Sequence, residues 1–275
     1  MNALEVLANM EYPGRFMILG LDERGNKNIV VYGITGRSPP SRARVLIQAD
    51  DKSIHTKPTD PAQLAKGNPA LLVYSAIKPL ENTLIVSNGA QTDLIHDTAK
   101  RLRQSDGTTP TPLQILTQAF QQSHYLDPAK PGEPQIDVTS FEPDHPNYTP
   151  RISGVLRHDL GALALAKRDI DCAVKRHFFE FALHSGRGFL LATYTGENVV
   201  SGCPLPSFRG EPIQVGLPRG TATDITHQIY EALGPKQGER ILDPGNDMRV
   251  GVVTMTYNFL NGTTDISMKN RMQQQ

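Results

Sequence analysis

Apolar residues occur along this chain in short runs separated by polar turns, a pattern typical of antiparallel β-strands. Residues 15–21 and 28–35 flank the polar segment DERGN and are predicted to pair as a hairpin. The same pattern returns later and predicts further strands at 43–49, 70–78, 83–87, 149–157, 160–167, 177–183, 188–195 and 249–257.

Apolar residues at helical spacing are found in a few segments only, which predicts helices at 1–10, 95–103, 113–122 and 224–233. Because the strands come in two blocks and do not alternate with helices, the fold class is expected to be α+β with mainly antiparallel sheets. We expect a single domain over 1–275, with a helical insertion at about 94–135. Residues 196–218 are rich in glycine and proline and are expected to be extended loop, and the tail from 268 is expected to fray.

Charge and composition exclude several classes of protein. Lysine plus arginine total 28 and aspartate plus glutamate also total 28, so no net field draws the chain to nucleic acid or to a membrane surface. Two cysteines, Cys172 and Cys203, fit a reduced cytoplasmic setting. No signal peptide or transmembrane run is apparent, and the Walker A, GxGxxG, HExxH and GxSxG motifs are missing.

Charged and amide residues near strand ends are the candidates for chemistry, and each also has a purely structural explanation. Arg37 and Arg42 flank a proline pair and, with Arg44 as a further candidate, either bind an anion or form a solvated basic loop. Tyr74 lies in an apolar run and is either a reactive phenol or a core tyrosine. Alternation along that predicted strand puts Lys78 on the face of Tyr74.

Three further loops have the same two explanations. Asn88-Gly89 is a ligand-binding loop or a plain turn, with Gln91 and Asp93 just after it. Glu142 and Asp144 are acids that stay ionised beside arginines, Arg151 among them, or they form a surface loop. A loop with Phe208 and Arg209 either covers a ligand or is a rigid structural element.

Five segments in order carry a resemblance to a known family: YPGR (12–15), TGRSPPSRAR (35–44), YSAIK (74–78) with SNGAQTD (87–93), EPDHPNYTPRISG (142–154) and PSFRGEP (206–212). Together they resemble the archaeal-type IMP cyclohydrolases. The resemblance implies a four-layer αββα sandwich, similar to the N-terminal-nucleophile hydrolases, in a cytoplasmic homo-oligomer. It implies a purine ribotide as substrate and no metal or organic cofactor. Neither nucleic acid nor a membrane is expected as a partner.

The resemblance also implies a reaction and a set of site residues. The carboxamide nitrogen of 5-formamidoimidazole-4-carboxamide ribotide attacks its own formyl carbon, and water is lost to give inosinate. The catalytic residues implied are Arg37, Tyr74 and Glu142, with Glu142 preferred to Asp144. The implied substrate-binding residues are Arg42, Lys78, Asn88, Gly89, Gln91, Asp93, Arg151, Phe208 and Arg209.

Two other functions remain open at this point. An amide hydrolase of the same fold needs a terminal Ser, Thr or Cys nucleophile, and the chain begins Met1-Asn2. A non-catalytic purine nucleotide-binding protein would keep the arginine and asparagine contacts without the chemistry.

Overall fold

Two antiparallel sheets lie face to face at the centre of the molecule, seen in a computed structural model that describes residues 1–106, 109–127, 132–200, 202–208, 210–235 and 247–272. The strands of these ranges are β1 (Arg15–Leu21), β2 (Lys27–Thr35), β3 (Arg44–Gln48), β4 (Ile54–Pro58), β5 (Ser75–Leu80), β6 (Thr83–Ser87), β7 (Tyr125–Leu126), β8 (Ile136–Asp137), β9 (Arg151–Arg157), β10 (Leu160–Arg168), β11 (Val174–Ala182), β12 (Arg187–Ala192), β13 (Ile213–Gly216), β14 (Arg249–Asn258) and β15 (Thr263–Asn270).

The first sheet has the strand order β13-β12-β1-β2-β14-β15, and the second has the order β11-β10-β9-β6-β5-β4-β3. The pairings within both sheets are antiparallel, and β1 and β2 form the predicted hairpin, with Ile18 opposite Val31. Strands β7 and β8 make a separate two-stranded ribbon. The expected α+β class with antiparallel sheets is therefore confirmed.

Helices cover the outer face of each sheet. The helices of the described ranges are α1 (Ala3–Asn9), α2 (Pro39–Arg42), α3 (Pro61–Leu64), α4 (Pro69–Leu72), α5 (Gln91–Asp106), α6 (Pro112–Ala119) and α7 (Ala222–Ala232), and those on the outer faces are α1, α5, α6 and α7. Helix α7 packs on β14 and β15, with α1 beside it. Helices α5 and α6 pack on strands β5, β6, β9 and β10 of the second sheet. The order of layers is helix, sheet, sheet, helix, as predicted. No helix of the described ranges is long and apolar enough to cross a membrane.

Two hydrophobic cores hold these layers together. The larger core contains residues of both sheets, such as Phe16, Ile34 and Leu156, and extends to Ile225 of α7. The smaller core joins Ile95 of α5 and further residues of α6 to the outer face of the second sheet. The helices within residues 94–135 therefore form the outer layer on that sheet.

The predicted strand at 70–78 was partly wrong. Asn68 accepts a hydrogen bond from the Ala70 backbone N–H and Pro69 occupies the first turn, so residues 69–72 form the short helix α4 and β5 begins only at Ser75. The pairing of β4 with β5 then shifts register between Ile54 and His55.

That shift changes which side chains share a face. Tyr74 lies in the core between the sheets, whereas the Lys78 ammonium contacts Asp93 of α5 at 2.8 Å on the outer face. The prediction that Tyr74 and Lys78 share a face was therefore wrong, because a strand irregularity breaks simple alternation.

Five strands of the described ranges were not predicted: β4, β13, β15 and the two short strands of the ribbon, β7 and β8. Strand β4 is short and contains His55 and Lys57, while β13 lies inside the segment expected to be loop. Strand β15 alternates polar and apolar residues up to Asn270, so the beginning of the segment expected to fray pairs with β14. Edge and near-edge strands such as these carry few apolar residues, which removes the signal on which strand prediction depends.

Candidate active site

A cavity of about 950 Å³ opens at one end of the sandwich. At this end β1, β3, β9 and β14 begin, while β2 and β12 end, so six strand ends deliver residues to one space. The residues lining it are Tyr12, Gly14, Arg15, Thr35, Arg37, Ser38, Pro39, Pro40, Ser41, Arg44, Lys66, Gly67, Asn68, Leu71, Leu72, Glu142, Pro143, Asp144, His145, Asn147, Thr149, Tyr194, Asn198, Val199, Leu205 and Met248.

A buried ion pair forms the floor of this cavity. Arg15 donates from Nη1 to Glu142 Oε1 at 2.9 Å and from Nη2 to Oε2 at 2.7 Å, a two-pronged arrangement. The same Nη1 also donates to the Asn88 carbonyl at 2.8 Å. The two side chains are only 8% and 3% exposed. Their mutual orientation is therefore fixed by short, charged hydrogen bonds in a nearly dry environment.

A second arginine approaches the same carboxylate. Arg151 Nη1 lies 3.6 Å from Glu142 Oε1 and donates to Gln91 Oε1 at 3.1 Å. Gln91 in turn donates to Asn88 Oδ1 at 2.9 Å. A Cβ on Gly89 would lie 2.4 Å from Arg151 Nη1, so only glycine leaves room for the guanidinium there. One buried polar network, called the Glu142 cluster below, is formed by Arg15, Asn88, Gln91, Glu142 and Arg151, with Gly89 packed against it.

The pKa values of Arg15 and Arg151 are shifted in opposite directions by their surroundings. Burial alone lowers an arginine pKa, but the adjacent Glu142 carboxylate, together with Tyr74 and Tyr32, more than offsets burial, so the pKa of Arg15 is raised well above its usual value. For Arg151 burial prevails, and its pKa is lowered, with repulsion from Arg15 adding to the effect. Glu142 thus lies between two guanidinium groups.

Tyr74 lies beside this floor without lining the cavity. Its hydroxyl is 2.8 Å from the Tyr32 hydroxyl, and both rings are buried between the sheets. Burial, with Tyr74 next to it, raises the pKa of Tyr32 well above its usual value. Both phenols act electrostatically on Arg15.

A second carboxylate, Asp144, faces the cavity two residues after Glu142. The Thr149 backbone N–H donates to Asp144 Oδ1 at 2.6 Å, and the Thr149 hydroxyl donates to Oδ2. Burial, and then the negative charge of Glu142, raise the pKa of Asp144 to about 6 against the hydrogen bonds from Thr149, which lower it.

The Tyr194 hydroxyl completes this arrangement. It lies 2.6 Å from Thr149 Oγ1. The ring stacks on Tyr12 with centroids 5.7 Å apart, and Gly14 packs so closely that a Cβ there would lie 2.6 Å from the ring. Gly14 also has φ +71°, which favours glycine. Burial, and then Asp144, raise the pKa of Tyr194, so the phenol stays protonated.

Arg37 lies on the cavity wall and contacts neutral groups. Its Nη1 donates to Asn198 Oδ1 at 3.2 Å and to the Val199 carbonyl at 3.1 Å. Its guanidinium carbon lies 5.1 Å from the centre of the Tyr12 ring, a cation–π distance. Within the described ranges no carboxylate pairs with Arg37.

Arg44 is the second cation of this wall. It is buried, and it donates to the Ser41 carbonyl at 3.0 Å and to the Leu72 carbonyl at 3.3 Å. It too has no carboxylate partner among the residues that the structure describes. Lys66 lines the cavity nearby, whereas Arg42 does not line it. A buried cation without a counter-ion favours an anionic ligand.

The site residues predicted from the sequence lie in different parts of the molecule. Arg37 and Glu142 line the cavity, and Asn88, Gly89, Gln91 and Arg151 lie in the cluster beneath it. Lys78 and Asp93 pair with each other away from the cavity. Phe208 is buried in the main core, where its N–H donates to the Thr193 carbonyl. Arg209 lies outside the described residues.

Among the residues that give this cavity its chemistry, Tyr12, Arg15 and Tyr194 were not singled out from the sequence. Arg15 had a readable signal, since it is a charged residue opening an otherwise apolar strand. The others are ordinary core-type residues in sequence, and only the fold brings them together.

Metal ligation has no support among the described residues, where no three His, Cys, Asp or Glu side chains are grouped to hold an ion.

Comparison with known proteins identifies the family of the chain. The family model described as IMP cyclohydrolase-like protein matches residues 12–116 and 133–238. These ranges include all of α5, part of the segment that the resemblance alone assigns to an insertion.

Curated archaeal proteins named IMP cyclohydrolase are similar to the chain. One from Methanococcus maripaludis is 27% identical over 189 residues, covering 68% of this chain and 77% of the relative. One from Methanothrix thermoacetophila is 29% identical over 192 residues, covering 69% and 78%. One from Methanocaldococcus jannaschii is 36% identical over 84 residues, covering 30% and 39%. With the family model matching well over half of its length, the chain belongs to the IMP cyclohydrolase-like family.

Proposed function

We propose that this protein is an IMP cyclohydrolase, an enzyme that closes the ring of 5-formamidoimidazole-4-carboxamide ribotide and releases inosinate and water. One observation carries the proposal. Two arginines without a carboxylate partner among the described residues, Arg37 and Arg44, face the same cavity as the Glu142 and Asp144 carboxylates. A ribotide brings an anionic phosphate for the former and an amide for the latter.

The phosphate is best served by Arg44. Among the described residues its guanidinium is bonded to the backbone carbonyls of Ser41 and Leu72 and to no carboxylate, so a phosphate gains a full opposite charge there without breaking an ion pair. Lys66 and the α2 residue Ser41 line the same part of the cavity. In the proposed pose the 5′-phosphate lies at Arg44. Of the two phosphate ligands suggested by the sequence, Arg42 and Arg44, only Arg44 lines the cavity.

The reacting groups would then lie over the floor. Glu142 has its two oxygens committed to Arg15, but a carboxylate accepts more than two hydrogen bonds, so it can still orient a carboxamide N–H. Arg37 is proposed to donate to the formyl oxygen, where negative charge develops. The resemblance implies a catalytic role for Tyr74, and because Tyr74 does not line the cavity, we propose that it acts indirectly, by positioning Arg15 at the base of the floor. Because the two reacting groups belong to one molecule, orientation alone supplies much of the acceleration.

The direct test is turnover of the formamido ribotide by the purified protein, followed by inosinate absorbance in buffer with a chelator. Arg44→Met is expected to raise KM about 10- to 100-fold, the effect of one lost charged hydrogen-bonding group, while Arg42→Met changes KM less than about threefold. Equal effects of the two substitutions would contradict the phosphate assignment. No turnover by the wild type would reject the function.

Tyr74 has a separate test. Tyr74→Phe keeps the ring in the core but removes the hydroxyl that contacts Tyr32. It is expected to lower kcat by up to about 100-fold, because misplacement of Arg15 and of the Glu142 carboxylate bound to it disturbs the orientation of the substrate. Tyr32→Phe is the matched control, because it removes the other hydroxyl of the same pair. Full activity of Tyr74→Phe would remove Tyr74 from the catalytic set.

The proposal extends to the setting of the enzyme. It includes a single domain with a helical insertion at about 94–135, a cytoplasmic location, an N-terminal-nucleophile-hydrolase-like fold and a homo-oligomeric state. Light scattering after size-exclusion chromatography tests the oligomeric state. If instead inosinate binds tightly and nothing turns over, the protein is a purine nucleotide-binding protein.

A further inference from the structure

Three groups on one wall of the cavity form a continuous hydrogen-bonded chain that the reaction outlined above does not yet use. The Tyr194 hydroxyl contacts the Thr149 hydroxyl at 2.6 Å, and the Thr149 hydroxyl contacts the Asp144 carboxylate. All three residues line the cavity. They come from two segments far apart in sequence, so the chain exists only in the folded molecule.

The direction of each hydrogen bond follows from the chemistry of the groups. An ionised carboxylate only accepts, so Thr149 must donate its single hydroxyl proton to Asp144. The oxygen of Thr149 is then left to accept, and Tyr194 must be the donor in its contact with Thr149. The Tyr194 oxygen therefore has no proton to offer the cavity but does have free lone pairs. It is an acceptor backed by a carboxylate.

From this geometry we infer that Tyr194 is the group that takes the carboxamide proton during ring closure, with Thr149 and Asp144 as the relay behind it. The inference rests on the proposed cyclohydrolase function and adds the proton acceptor to it. Glu142 is then an orienting group, because Arg15 occupies both of its oxygens.

The proton balance of the step is simple. The carboxamide nitrogen forms a bond to the formyl carbon, and the carbonyl electron pair moves to the formyl oxygen, which takes a proton from water. The nitrogen proton passes to the Tyr194 oxygen, the Tyr194 proton to Thr149, and the Thr149 proton to Asp144. In the dehydration the relay runs backward and protonates the departing hydroxyl, which leaves as water, while the ring nitrogen releases its proton to water.

The electrostatic surroundings of the relay suit this task. Asp144 faces the Glu142 carboxylate on its own loop, the guanidinium groups of Arg15 from β1 and Arg151 from β9, and the Tyr194 phenol. Burial and Glu142 together raise the pKa of Asp144 to about 6, which is near the pH at which a proton acceptor works best. The pKa of Tyr194 is raised, so its hydroxyl stays neutral and passes a proton on to Thr149 without forming a phenolate.

The test compares four substitutions by steady-state kinetics across pH 5–9. Tyr194→Phe and Asp144→Asn are each expected to lower kcat about 100-fold or more, with the Kd of inosinate changed less than about threefold. Combined, they are expected to cost no more than either alone, since both interrupt one relay. Thr149→Val is expected to match them, and Thr149→Ser, which restores the hydroxyl, to keep kcat within about threefold of the wild type.

The pH profile gives a readout that a merely structural role would not move. The wild type is expected to lose kcat/KM below about pH 6 as Asp144 protonates, and this acidic limb is expected to vanish in Asp144→Asn. Asp224→Asn is the matched control. It alters another aspartate bonded to a threonine, Thr221, at the exposed start of α7, and is expected to leave kcat and the pH profile unchanged.

The outcomes separate the relay from the function. Wild-type turnover with full kcat in Tyr194→Phe would overturn the relay and leave the cyclohydrolase function standing. Absence of wild-type turnover would overturn both. If Asp144→Asn unfolds at the assay temperature, the contrast between Thr149→Ser and Thr149→Val decides: equal rates in the two would overturn the relay, and a large difference would support it.

Discussion

Glu142 and Asp144 are separated by one proline, yet their surroundings are opposite. Glu142 accepts two hydrogen bonds from Arg15 and has Arg151 close by, so positive charge compensates its burial. Asp144 accepts its hydrogen bonds from the neutral Thr149 in the part of the chain that the structure describes, and burial, followed by the nearby Glu142, raises the pKa of Asp144 to about 6. One carboxylate is a fixed structural charge and the other is held near its point of protonation. Two acids on one loop thereby acquire different tasks.

The largest expected effect on stability comes from removing the charge of Glu142. Glu142→Gln leaves two buried guanidinium groups, Arg15 and Arg151, without a counter-ion, and is expected to lower the free energy of unfolding by about 3–5 kcal/mol. Urea denaturation followed by circular dichroism measures it. Adding Arg15→Met to Glu142→Gln should lower the free energy of unfolding by less than Arg15→Met lowers it in the wild type. A change below about 1 kcal/mol would show that water, not Glu142, compensates these charges.

The next effect concerns Asp144 and depends on pH. Because the folded-state pKa lies above the unfolded value, the folded protein binds more protons between about pH 4 and pH 6. The contribution of Asp144 to stability is therefore fully present below pH 4 and is lost as pH rises to 6, by at most about 3 kcal/mol.

Asp144→Asn removes this dependence. The difference in free energy of unfolding between wild type and variant, measured at intervals from pH 4 to pH 7.5, is expected to move against the wild type as pH rises. At pH 7.5 the variant should be the more stable protein and the less active one. A difference that is flat across this range would mean that Asp144 titrates normally.

A smaller effect sharpens the comparison by displacing Arg151. Gly89→Ala puts a methyl group 2.4 Å from Arg151 Nη1 and 2.6 Å from Gln91 Oε1, and such overpacking is expected to cost about 1–3 kcal/mol. Thermal unfolding measures it. Gly216→Ala is the matched control, since its nearest neighbour would be 3.8 Å away. Equal melting temperatures for the two variants would show that Arg151 moves aside freely.

The smallest effect comes from an ion pair on the surface of α5. Lys78→Met breaks the contact with Asp93, whose side chain is 49% exposed, and is expected to change the free energy of unfolding by about 0–1 kcal/mol. Since neither residue lines the cavity, KM should stay within about twofold of the wild type. A large rise in KM would instead return both residues to the substrate-binding set that the sequence suggests.

Most of the fold was predictable because its signal is local. The strands of the two sheet centres are apolar runs, and β1 and β14 were found almost to the residue. Helix α7 was readable from its spacing and its end. The local exceptions are equally physical: Asn68 and Pro69 start a helical turn inside an apolar run, and β15 is polar because it lies at a sheet edge.

The site was predictable only in part, because its chemistry depends on burial. Arg37 and Glu142 were found as charged residues beside strand ends, and both line the cavity. Glu142 was preferred to Asp144, but the sequence could not show that the two acids have different surroundings, since that difference comes from Arg15, which is 127 positions away from Glu142. Tyr194 gave no signal at all, because a tyrosine at a strand end is commonplace until a hydroxyl from another segment reaches it.

The contact between Arg15 and Glu142 also bears on how the molecule assembles. It joins positions 127 residues apart, and the Arg15 backbone N–H donates to Thr193 Oγ1 across 178 residues. Closing loops of that length costs chain entropy before the contact can form. Arg15 belongs to the first sheet and Glu142 to the loop that leads into the second, so the pair forms only after the sheets have docked. During refolding, the ability to bind nucleotide is therefore expected to return after the secondary structure has formed and the two sheets have docked.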